Sequence, residues 1–149
     1  MRSTLVVLAF TLLITGCSSQ SNSKAGIQSK EQEPLCSPAP VRYMQWEEQA
    51  KSIAGQVKGV DSAVAVQIDN ELDVAVKVSN FNRFRLESIK KQVAEQLKAA
   101  FPKSDIHVTS DKKLNRELQK ISEKPWPTDV KEACKQKKKF QQIEKQMKG

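Results

Sequence analysis

The 149-residue chain holds one histidine, three cysteines and one tyrosine, and only 5% of it is aromatic. A lone His cannot build a nucleophile–base–acid triad, and with three Cys it leaves little material for a metal site. No apolar run reaches the roughly 18 residues that a membrane-spanning helix needs. No aromatics interleave the lysines, so the basic charge lacks the stacking platform that nucleic-acid grooves use. Carboxylates are numerous but scattered. Glu47-Glu48 and the trio Asp69, Glu71 and Asp73 come nearest to pairs. The trio sits about a hairpin tip, where water gives no burial to raise a carboxyl pKa and the ligand count falls short of a calcium loop. His107, flanked by Ile106 and Val108, alternates away from the core as an exposed strand histidine. These residues point to no catalytic group, no cofactor and no metal, and to a protein that is not an enzyme.

What is present begins with charge. Lys plus Arg number 25 against 17 Asp plus Glu, a formal +8, in a chain 38% hydrophobic and 28% charged. That is a soluble globular composition of one domain with tails. Arg2 precedes an apolar stretch over residues 5–14, broken only by Thr11. Ile14-Thr15-Gly16-Cys17 and a Ser-rich stretch follow. This is a secretory signal, residues 1–16, and its Cys directly after Gly16 resembles the lipobox of bacterial lipoproteins. The resemblance implies cleavage between Gly16 and Cys17. It also implies acyl chains (palmitate and its like) on Cys17, and attachment to the outer face of a bacterial membrane. Each buried CH2 contributes about 0.8 kcal/mol, so two or more chains anchor stably.

Residues 17–41 read as a flexible polar tether, and from Ser18 to Pro40 Ile27 and Leu35 are the only large aliphatics. Residues 43–58 read as a helix with Trp46, Ala50, Ile53, Ala54 and Val57 in one stripe, stopped by Gly59. Residues 62–69 alternate bulky Val64, Val66 and Ile68 with smaller neighbours, and residues 72–79 alternate Leu72, Val74, Val76 and Val78 with Asp73, Ala75 and Lys77. Two strands about an Asn70-Glu71 turn are expected. The spacing then predicts a helix over residues 83–101 ended by Pro102, a strand over 105–110, and a helix capped by Asp111 with Leu114, Leu118 and Ile121 buried. Thr128 is placed as the cap of a last helix. The expected fold is α+β, a two-layer α-β-β-α-β-α domain over residues 42–121. Its three-stranded sheet runs in the order 2-1-3 with helices on one face, and a basic helical tail follows over 122–149.

From Thr128 to Gly149 the tail carries Lys131, Lys135, Lys137, Lys138, Lys139, Lys145 and Lys148 against three acids. It suits an anionic surface, either lipid or wall polymer, and equally a solvated helix. Cys36 and Cys134 remain after Cys17 takes lipid. An exported compartment permits one bridge between them, and two free thiols are the other reading.

The lipobox and polar spacer are followed by Ile53, Val57, Gly59-Val60 and Ala63-Val64-Ala65-Val66. With residues 72–78, residues 86–97 and Ile106-His107-Val108-Thr109-Ser110-Asp111, they resemble the YhcN/YlaJ sporulation lipoproteins of spore-forming Gram-positive bacteria. The resemblance implies a lipoprotein of the inner spore membrane, tied to spore formation or germination, with no catalytic residues to carry over. The leading expectation is a lipid-anchored, non-catalytic docking module for envelope or spore proteins, using its edge strands and an exposed sheet face. A second is an accessory to peptidoglycan-lytic enzymes whose basic tail touches cortex. A third is a BON-like module that binds phospholipid. Nucleic acid is not an expected partner.

Overall fold

Alternation at period two in residues 60–78 builds an antiparallel hairpin, and everything else covers its two faces. The computed structural model describes residues 36–148, which form α1 (Met44–Gln56), β1 (Val60–Ile68), β2 (Glu71–Val78) and a 3-10 helix (Asn80–Arg85). Then come α2 (Leu86–Ala100), β3 (Asp105–Thr109), α3 (Lys112–Ser122) and α4 (Val130–Lys148). The α+β class and the element order are those expected. The hairpin turn falls one residue earlier than expected: Ile68 pairs with Glu71, so Asp69 and Asn70 are the loop, with Asp69 at φ 56°.

The sheet order is β1-β2-β3, which corrects the expected 2-1-3. β2 is central, antiparallel to β1 and parallel to β3. The outer edge of β1 is already used at its hairpin end by the chain before α1. Arg42 bridges to Ile68, Tyr43 N–H donates to Gln67 O at 3.0 Å, and Asp69 N–H donates to Val41 O at 2.8 Å. The α2 crossover therefore returns β3 to the free edge of β2.

The helices lie on both faces, not one. The register sets Ala65 beside Val74 and Val64 beside Ala75, so the bulky faces of β1 and β2 point to opposite sides. Neither face can be left in water. Leu72, Val74 and Val76 pack with Ala50, Ala54, Ile89, Val93 and Leu97 from α1 and α2. Val66, Ile68 and Ala75 pack with Leu114, Leu118, Phe140 and Ile143 from α3 and α4. The lysine-rich helix is thus part of the core, which continues past residue 121 to a fully buried Phe140.

Local capping follows the sequence with one shift. Asp111 caps α3, accepting from Lys113 N–H and Leu114 N–H at 2.8 Å. At α4 the cap is Asp129, not Thr128, because its Oδ1 reaches Glu132 N–H at 2.9 Å. Trp46, expected in the buried stripe, stacks on Tyr43 at 4.6 Å and stays half exposed, while Glu47 is buried in its place. Arg42 compensates Glu47. Its Nε and Nη2 each lie 2.7 Å from a Glu47 carboxylate oxygen. Its remaining protons go to the carbonyls of Ile121, Ser122 and Lys124 at the end of α3.

Candidate functional site

Three features lie outside the packing requirements. The first is the 3-10 helix after β2, Asn-Phe-Asn-Arg-Phe-Arg. Phe81 is 95% exposed and Phe84 100%, and Arg83 and Arg85 beside them are exposed too. Asn82 holds the segment inward, with its Nδ2 donating to Ser79 Oγ at 2.7 Å. The helix expected from residue 83 starts at Leu86, and the residues before it form this projection. The strongest signal for it in the sequence is Phe-x-x-Phe with interleaved arginines outside any apolar stripe.

The second feature is polar and buried. Asp73 and His107 are cross-strand neighbours on the face covered by α4. Asp73 has no exposed surface, and a 3.1 Å hydrogen bond joins its Oδ1 to His107 Nδ1. Burial, then the charges of Glu144 and Glu71, push its carboxyl up to about 8. Glu71 is also raised, by burial first and then by Glu144. Burial, then Lys148, lowers His107 from its ordinary value. His107 Nε2 lies 3.8 Å from Asp105 Oδ1. Glu144, buried on α4, pairs with Lys148. This corrects the expectation of a hairpin tip in water and an exposed histidine: Asp73 and His107 do turn away from α1 and α2, but α4 closes over them.

The third feature is charge on α4. Lys137 is spent on Asp69 and Lys135 on Glu132. Lys131, Lys138, Lys139 and Lys145 are exposed. Lys139 joins Lys120 and Lys124 around a groove of about 380 Å³ between α3 and α4. Cys36 and Cys134 are joined by a disulfide with Cα atoms 5.7 Å apart, fixing the start of the domain to α4. Gly16 and Cys17 lie outside the described residues. Among the described residues no helix is long and apolar enough to cross a membrane.

The family profile described as sporulation lipoprotein YhcN/YlaJ matches residues 21–148. This chain belongs to the YhcN/YlaJ sporulation lipoprotein family. The match runs through the lysine-rich helix, in keeping with the place of α4 in the core. No curated protein and no solved structure matches the chain. Membership makes the protein a lipoprotein of sporulation, a class held at a membrane.

Proposed function

We propose that this YhcN/YlaJ lipoprotein is held at the outer face of the membrane by acyl chains on Cys17. There, in spore formation or germination, it acts as a docking module that offers the Phe81–Phe84 projection to a protein partner. The carrying observation is the full exposure of both rings. Burying each against a partner would return roughly 1.5–3 kcal/mol. Arg83 and Arg85 match an apolar pocket rimmed by carboxylates, and Arg and aromatic residues dominate interface hot spots. Both sheet faces carry helices, so the face expected as the docking surface is not available.

The projection lies at the opposite end of the sheet from the point where the chain enters the domain. The chain enters the domain at the hairpin end, where Cys36 is tied to α4 and Val41 bonds Asp69. The projection follows Val78, at the far end of β2. Eight residues rising about 3.3 Å each separate the two ends by roughly 25 Å. A photocrosslinker at Phe84 of the full chain in sporulating cells should give a protein adduct of discrete mass that the same group at Lys139 does not. Adducts to lipid alone would move the reading to a bilayer-binding module.

The wall-polymer reading is favoured by the groove lined by Lys120, Lys124 and Lys139. Retention on purified cortex should then fall with the triple change Lys120→Glu, Lys124→Glu and Lys139→Glu, and fall with salt. Unchanged retention removes it.

A further inference from the structure

The acid–histidine cluster beneath α4 has no role in docking and is built at a cost. Asp73 and Glu71 each keep one buried carboxylate oxygen that finds no hydrogen-bond partner among the described residues. Glu71, Asp73, Asp105 and Glu144 face Lys148, with Lys137, itself paired to Asp69, also near Glu71, in a chain whose net charge is +8. That local excess of negative charge is the reverse of the surrounding field.

We propose that Asp105, His107 and Glu144 bind a divalent transition cation through one imidazole nitrogen and two carboxylates, with Asp73 as the positioning residue behind the ring. The three ligand atoms lie within 4.8 Å of one another. A cation about 2.0–2.2 Å from each donor needs separations of roughly 3–4 Å, so closure takes about 1 Å of side-chain rotation. Asp105, exposed at the start of β3, can supply it.

The second observation is Asp73. Wholly buried, it meets His107 Nδ1 through Oδ1, which leaves Nε2 directed to the Asp105 side. A carboxylate behind a ligating imidazole fixes its tautomer and orientation. A cation on Nε2 favours the form with hydrogen on Nδ1, donated to Asp73. Lys148 Nζ now occupies Glu144, and the ion displaces it. One imidazole with two carboxylates suits Zn2+ or Mn2+ better than the all-oxygen preference of Mg2+ or Ca2+.

The test uses the full chain, oxidised at Cys36 and Cys134, with any free thiol at Cys17 alkylated and metal removed by chelator. Titration with Zn2+ and with Mn2+ should show one ion per chain for at least one of them, at least 100-fold tighter than Mg2+. Because His107 is the sole histidine, 15N spectra assign the ligand, and Nε2 should shift far more than Nδ1 on Zn2+ addition. Asp105→Asn, which alters an exposed group, should weaken binding at least tenfold. Asp73→Asn should weaken it 10–100-fold while one ion still binds, with the difference between the nitrogen shifts reduced. Binding no tighter than that of Mg2+, an unshifted Nε2, or affinity unchanged by Asp105→Asn would overturn the site.

Discussion

Replacing Arg42 by Ala should destabilise the domain by about 3–5 kcal/mol, the range for removing one member of a buried ion pair. The side chains of Arg42 and Glu47 are 2% and 5% exposed, and all five guanidinium donors are used. Three of the acceptors are carbonyls at the end of α3, where water can replace the lost donor. The penalty therefore falls on Glu47, whose carboxylate would remain buried beside Gln67 N–H, 3.0 Å away, with no counter-charge. Glu47→Gln keeps an acceptor for that N–H and most of the volume, and Arg42 keeps three carbonyl acceptors but loses its counter-charge, so it should cost about 2–3 kcal/mol, less than Arg42→Ala. The double variant should lose less than the sum of the two, because the second change removes the stranded charge. Urea unfolding read by the fluorescence of Trp46 and Trp126 and by circular dichroism, at constant slope, gives these values. A loss below about 1 kcal/mol for Arg42→Ala, or strict additivity in the double variant, would mean that Glu47 is not left stranded by the loss of Arg42.

Breaking the Cys36–Cys134 bridge by reductant or by Cys134→Ser should lower stability by up to about 4–5 kcal/mol, since it closes a loop over a sequence separation of 98; paired urea titrations measure it. Gly59→Ala should cost more than about 1 kcal/mol, seen as a lower thermal midpoint, because φ is +106° and a Cβ would meet Ile89 Cδ1 at 2.8 Å. In chelator, stability should fall between pH 6.5 and 8. Asp73, raised from 3.8 to about 8, favours folding while protonated and loses that advantage as pH rises through its folded value. His107, lowered from 6.5, adds stability with rising pH only up to that value, so it does not offset the loss above it. Asp73→Asn should flatten the decline in urea midpoints over that window.

Elements set by local pattern were legible in the sequence. The stripe Ile89, Val93 and Leu97 fixed α2, Asp111 marked the start of α3, and alternation gave β1 and β2. Features set by tertiary covering were not. Asp73 and Lys77 made one face of β2 look solvated, which assigned the centre of the sheet to β1; the cover from α3 and α4 reverses this. Glu144 sits four residues after Phe140, on the helical stripe that buries it, yet its charge read as surface. Arg42 and Glu47 were illegible for the same reason: a charge is buried only when its partner arrives from elsewhere in the fold.

On the docking proposal, the exposed Phe81 and Phe84 serve a partner and not the fold. The most direct measurement is the size of the particle carrying the full chain after mild detergent extraction of membranes from sporulating cells, for the natural protein and for Phe81→Ser with Phe84→Ser. The double variant should keep its unfolding free energy in urea, within about 0.5 kcal/mol of the original, while the chain leaves a larger complex and migrates alone. An unchanged particle would contradict the proposal, as would a natural chain that migrates alone.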